Sequence, residues 1–318
     1  MSSNLLSKLC GVRNIGCLGF LALVGLLIGC GGGASSTSSM PTSAAVPAAD
    51  HVFLVVLENH SFSDVIGSAS MPYFNSLATQ HALATNYFAT LHPSIPNYFM
   101  LTVGVPETLD DNFTGTVTDD NIVRALTASG NTWKAYIESL PSPGYTGPDV
   151  VPLYLKHHNP FAYLSDVLNS SAQTANMVDF SQLAVDVKAG SLPKFSFIVP
   201  NPQHDAHDCP GSIASCPDSS KLAATDTWLK NNIDPLITSP AFTNSVLIIT
   251  FDESNLADIA NGGGQVATVL VGPRVKAGFR STTFYQHQST LRLILDSLKV
   301  GDLPNAAAIA PPMGEFFH

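Results

Sequence analysis

Apolar positions in this chain gather into short unbroken runs that alternate with segments of helical spacing. HVFLVVL (His51–Leu57) is uninterrupted and is followed at once by Glu58-Asn59. That is the pattern of a strand buried on both faces with polar chemistry at its carboxyl end. The same reading predicts strands at residues 82–88, 132–137, 194–199, Ser245–Phe251 and 265–271. Helical periodicity with its start and stop signals predicts helices at 72–81, 96–103, 121–129, 225–233 and 288–298. Strands alternating with helices give an α/β fold, a mainly parallel sheet covered by helices on both faces. No internal repeat or second linker interrupts residues 51–318, so they are expected to form one domain. Ligands of such sheets bind beyond the carboxyl ends of the strands.

The first fifty residues read differently. Lys8 and Arg13 precede an apolar run from Ile15 to Ile28, and Leu27-Ile28-Gly29-Cys30 closes it. This is the order of an export signal, and its glycine-broken run is short of the roughly 20 residues that span a bilayer. Leu27 to Cys30 also resembles the lipobox of bacterial lipoproteins, whose cysteine is lipidated and becomes the mature N-terminus. The stretch GGGASSTSSMPTSAAVPAAD behind it cannot bury enough apolar area to fold. Residues 1–29 are therefore expected to be a signal peptide, 30–50 a lipidated Cys30 with a flexible tether, and 51–318 the catalytic domain. The protein would be exported and anchored to a membrane, periplasmic or at the cell surface. A plain secretory signal or a retained anchor is the alternative.

Composition narrows the partners. Charged residues make up 12% of the chain, against a usual figure of about 25%. Beyond residue 29 the chain holds 12 basic and 24 acidic residues, a poor surface for nucleic acid. A hydrophobic fraction of 45% supports a sizeable core. Past Cys30 only Cys209 and Cys216 remain, in the loop CPGSIASC. An oxidising compartment favours a disulfide between them, and no second cysteine cluster exists to complete a zinc site.

The polar clusters sit where the predicted strands end. VVLENHSF (55–62) places the Glu58 carboxylate and the Asn59 amide oxygen after the first strand, and both suit a hard divalent cation. TFDES (250–254) adds Asp252 and Glu253, adjacent carboxylates that repel unless a cation compensates. In LHPSIPNYFMLTVG (91–104), Pro96 favours a helix start and Gly104 its end, so Ser94 lies near a helix N-terminus. Free amides and the positive dipole end there suit a phosphate, and a cap is the competing role for that serine. FSFIVPNPQHDAHD (195–208) and KHHNPF (156–161) add carboxylates and histidines suited to phosphate contact and proton transfer, and His287 stands just before a predicted helix.

These blocks, in this order, resemble the bacterial and fungal phosphoesterase family that contains acid phosphatases and phosphatidylcholine-type phospholipases C. MPYFNSLA, DTWLKNNIDPLI, VGPRVKAG and YQHQSTLRLIL extend the resemblance over nearly all of 51–318. The family belongs with the alkaline phosphatase superfamily, and S-x-P-N at Ser94 to Asn97 is similar to the nucleophile segment of nucleotide pyrophosphatases. The resemblance implies an alkaline-phosphatase-like fold and one divalent metal held by Glu58, Asn59, Asp252 and Glu253 beside Ser94. It implies that Asn97 contacts a phosphoryl oxygen and that His158, His207, His287 and Asp205 line the phosphate side, with either His157 or His158 facing inward. Ser94 would attack phosphorus to give a phosphoserine, and His207 or His287 would protonate the departing alkoxide. The chain ends soon after its last motif, which points to a compact acid phosphatase acting on phosphate monoesters. A phospholipase C-type diesterase acting on phospholipids, or a catalytically inactive binding lipoprotein, is the alternative. Lipid attachment has a direct test: labelled palmitate enters the protein and fails to enter Cys30→Ala, and equal labelling of both would remove the assignment.

Overall fold

The computed structural model describes residues 45–318. The signal segment, Cys30 and most of the expected tether lie outside them. Strand β1 (His51–Leu57) forms as its apolar run requires, with Val52 to Leu57 fully buried. It is followed by β2 (Ala82–Ala84), β3 (Tyr87–Phe88), β4 (Trp133–Ile137), β5 (Met177–Asp179), β6 (Phe195–Val199) and β7 (Ser245–Phe251). Strands β8 (Thr268–Val271), β9 (Arg280–Ser281) and β10 (Tyr285–Gln286) complete the set. The large sheet has the order β5-β4-β6-β1-β7-β8-β2-β9. From β5 to β7 all neighbours run parallel, whereas β8 is antiparallel to both β7 and β2. Helices surround this mostly parallel sheet, which is the α/β architecture expected.

The register decides where the chemistry falls. β1 lies between β6 and β7, with Leu54 opposite both Phe197 and Ile248, so three buried strands end side by side. Leu57 pairs with Phe251, which puts Glu58 and Asp252 at neighbouring strand ends. Two backbone hydrogen bonds extend the alignment past the strands: Asp252 N–H donates to the Leu57 carbonyl and Glu58 N–H to the Asp205 carbonyl, both at 2.8 Å.

Several boundaries depart from those expected. Residues 82–88 split at Thr85-Asn86, and β3 leaves the main sheet to pair with β10, Tyr87 opposite Tyr285. That small ladder brings the helix His287–Ser297 beside the segment carrying Ser94. The helix at Ser94–Thr102 starts two residues before Pro96, because the first turn of a helix leaves its N–H groups unbonded and tolerates proline there. Helix Asp218–Asn232 starts well before 225, through a polar stretch with no apolar periodicity to announce it. The end of the expected tether is docked: Val46 is buried, Ala49 N–H donates to the Ser297 carbonyl and Asp50 N–H to the Asn244 carbonyl. Cys209 and Cys216 form the disulfide.

Gly262 to Gly264 clamp the loop before Ser94. A Cβ at Gly262, where φ is +109°, would stand 2.0 Å from the Thr90 carbonyl oxygen, and one at Gly263 would stand 2.4 Å from that of Leu91. Gly262→Ala is expected to cost more than about 1 kcal/mol, since neither the backbone angle nor the space admits a side chain. Gly301→Ala, where no atom lies within 4 Å, should leave the thermal unfolding midpoint nearly unchanged. Equal midpoints for the two variants would contradict the clamp.

Candidate active site

At the end of β1 the chain turns sharply. Asn59 adopts a left-handed conformation, φ +52°, which Asn tolerates better than most residues. The turn aims Asn59 N–H at Asp252 Oδ1 (3.2 Å) and the Asn59 amide at Glu58 Oε2 (3.2 Å). Glu58 is fully buried and is the hub of the site: Ser94 Oγ donates to its Oε2 at 3.1 Å and Tyr98 OH to its Oε1 at 2.5 Å. Ser94 is the first residue of its helix, and its hydroxyl makes no cap bond. The competing role as an N-cap therefore does not describe this side chain.

Four carboxylates converge here. Asp252 is fully buried; its Oδ1 accepts from the amides of Asn59 and Glu253, and its Oδ2 has no partner. Glu253 is buried beside it, with Oε2 on His92 Nδ1 at 2.8 Å. Asp205 is fully buried and accepts from His207 N–H through Oδ1, whereas Oδ2 has no hydrogen-bond partner. Burial pushes all four acids up, aided for Glu58 by the charges of Asp252 and Asp205 and for Asp252 by that of Glu253. Asp205 is raised to about 7, chiefly by burial.

His158 faces inward and His157 packs edge-on behind it, which decides between the two histidines of KHHNPF. His158 lies 3.4 Å from Glu58 Oε1 through Nε2 and 3.3 Å from Asp205 Oδ2 through Nδ1. Burial, then the nearby His207, holds it well below the usual imidazole range, and its Nε2 has no hydrogen-bond partner. Glu58, His158 and Asp205 offer ligand atoms all within 4.8 Å of one another. That buried group could hold a metal ion, and Glu58 is the residue it shares with the ligand set expected from sequence. The unpartnered buried oxygens of Asp205 and Asp252 and carboxylates raised by burial fit a cation, because the protein compensates their charge only in part.

Two expected site residues, Asn97 and His287, make contacts other than those anticipated, and His207 stands at the edge of the cluster. Asn97 is fully buried, and its amide is spent on the loop before the helix, accepting from Thr90 and Leu91 N–H and donating to the Leu91 and Pro93 carbonyls. His287 is also fully buried: Nε2–H donates to the Asp252 carbonyl at 2.5 Å, and Nδ1 accepts from Tyr87 OH at 3.1 Å. Burial lowers it to about 4, consistent with a neutral ring held on both nitrogens. His207 is part-exposed, its Nδ1 on Asp208 Oδ1 at 2.8 Å and its ring edge-on to that of His158.

The sequence reading missed Tyr98, His92, Asp208 and Asp111. Tyr98 could have been found from its spacing, four residues after Ser94 and so on the same helix face. Asp208 follows His207 directly. Asp111 carries no such signal: it comes from a loop, and its Oδ1 takes Ile95 N–H at the helix start, 3.0 Å away.

This sheet with its strand-end cluster has the alkaline-phosphatase-like fold. It superposes on a protein of the alkaline phosphatase superfamily from Vibrio parahaemolyticus with a TM-score of 0.57 and 14% identity, over 85% of this chain and 74% of that one. The lipoteichoic acid synthase of Listeria monocytogenes gives 0.59 and 11%, over 83% and 76%. The phosphoesterase family matches residues 68–301, and the chain belongs to that family. It is 33% identical to the phosphatidylinositol-3-phosphatase of Mycobacterium tuberculosis over 278 residues, 86% of each chain. It is 31% identical to a probable acid phosphatase of Kluyveromyces lactis and to an acid phosphatase of Aspergillus fumigatus, covering 75% of this chain in both cases. The chain spans 56% and 52% of those two fungal proteins.

Proposed function

We propose that the protein is a metal-dependent phosphoesterase, an acid phosphatase that hydrolyses phosphate monoesters through a phosphoserine on Ser94. The observation that carries this reading is the Ser94 hydroxyl, which donates to Glu58 among four buried carboxylates instead of capping its helix. The fold neighbours, the family and the phosphatase relatives support it.

A divalent cation held by Glu58, Asn59, Asp252 and Glu253 would supply the positive charge that acidifies the Ser94 hydroxyl and polarises the phosphoryl group. Glu58 Oε2 is already the acceptor for the Ser94 proton. As Ser94 Oγ bonds to phosphorus, the bond to the ester oxygen breaks, and His207 gives its Nε2 proton to the departing alkoxide while Asp208 fixes the ring through Nδ1. Water then attacks the phosphoserine and gives a proton to His207, while Ser94 Oγ leaves with the proton held by Glu58 as inorganic phosphate is released. Ile95 N–H, held here by the Asp111 carboxylate, is a donor aimed at an anionic oxygen. His287 acts as a positioning residue, fixing the Asp252 backbone, and Asn97 fixes the loop that presents Ser94. Ligation by Glu58, His158 and Asp205 instead is favoured by their mutual proximity. Metal affinity in Asp205→Asn against Asp252→Asn decides between the two ligand sets.

Among the described residues no helix is long and apolar enough to cross a membrane. The reading places the domain outside the cell membrane on a lipid anchor at Cys30.

Ser94→Ala tests the mechanism. The variant loses one buried hydrogen bond to Glu58 and should stay folded with a small change in midpoint, while kcat on nitrophenyl phosphate falls by about three orders of magnitude or more. A variant that retains more than about a tenth of parental kcat, under 1.4 kcal/mol of barrier, would refute Ser94 as nucleophile.

A further inference from the structure

Beside His207 the surface opens into a groove of about 360 Å³. It is lined by the disulfide loop from Cys209 to Cys216, by Gln203 bonded to that loop, by Lys221, and by His207 with Asp208. We propose that this groove is the leaving-group subsite, and that it selects phosphate esters whose leaving group carries a second anionic group held by Lys221. The proposal rests on reading His207 as the acid for the departing oxygen.

Position argues first. The proton donor must stand against the ester oxygen as the phosphorus–oxygen bond breaks, so whatever that oxygen belongs to lies beyond His207. The groove is space that His207 itself lines, and the loop beside it is built to keep shape. The disulfide closes the loop, Gln203 Nε2 donates to Ser212 Oγ at 2.6 Å, and Gly211 N–H donates to Gln203 Oε1 at 3.0 Å.

Charge gives the second argument. Among the groove's lining side chains Asp208 is engaged by His207 Nδ1, and Lys221 carries the one ammonium. Its nearest carboxylate is Asp218 Oδ1 at 3.5 Å, a side chain 73% exposed, and so loose an exposed pair holds an ammonium weakly. Its placement attracts an anion at the far end of the leaving group, as a point charge suited to phosphate or carboxylate.

The test compares three substrates on the full-length metal-loaded protein: fructose 1,6-bisphosphate, fructose 6-phosphate and nitrophenyl phosphate. The two sugar esters share a polyol and differ by one phosphate. Lys221→Gln should raise KM for the bisphosphate about tenfold, the loss of one charge-assisted contact, with kcat and both other substrates within about twofold. Lys221→Arg should restore most of the difference, and added salt should erode it in the parent protein. An unchanged ratio of bisphosphate to monophosphate KM in Lys221→Gln would overturn the proposal, and so would an equal rise for all three substrates. His207→Gln is measured alongside. Full activity there would sink the acid assignment, whereas a Lys221 effect on the bisphosphate alone would still map the groove.

Discussion

Four carboxylates inside one buried volume are the constraint from which the rest of this structure follows. Two unit charges about 4 Å apart, at an effective dielectric of about 20, repel by about 4 kcal/mol, and burial adds a desolvation cost for each. Glu58, Asp252, Asp205 and Glu253 are drawn together because three parallel strands end in register, with Leu57 opposite Phe251 and Glu58 bonded through its backbone to Asp205. The protein answers this repulsion in part with donors: Tyr98 and Ser94 to Glu58, His92 to Glu253, backbone amides to Asp252 and Asp205. Oxygens remain without partners, so the sheet has built a place for positive charge.

The placement of Ser94, the proposed nucleophile, depends on the same constraint. The loop before Ser94 is held by the Asn97 amide and by the close approach of Gly262 and Gly263 to Thr90 and Leu91. The β3–β10 ladder then sets the start of the last long helix, so that His287 closes on the Asp252 carbonyl, while the Tyr87 hydroxyl, itself bonded to Thr290, holds the other face of the ring. Packing far from the reacting atoms thus fixes the geometry at them.

Much of this was legible in the sequence, for identifiable reasons. Strands β1 and β7 are unbroken apolar runs ended by charge, and their limits coincide with those read from the pattern. Strand β5 and the helix Gln182–Ala189 were not foreseen: the first is three residues long at a sheet edge, and the second presents only Leu183 and Asp186 to the interior. The residues of the site were visible as types but not always as roles. His287 and His207 both stand beside polar motifs, yet one is locked on both nitrogens and the other keeps a nitrogen free. That difference is set by contacts across the fold, with Tyr87 lying 200 positions from His287, and local sequence carries none of it. Asp111 was invisible for the same reason.

Thermal unfolding under metal titration is the most direct measurement of the central claim, that the buried carboxylates are built around a cation. Stripped protein should melt lower than protein with a divalent ion at about a hundred times its dissociation constant, a stabilisation of about 2.7 kcal/mol at saturation of one site. Asp252→Asn, which removes a buried charge, should narrow that gap and weaken the metal binding read by calorimetry. A stripped protein that binds no divalent ion, with the same unfolding midpoint in chelator and in excess metal, would contradict it.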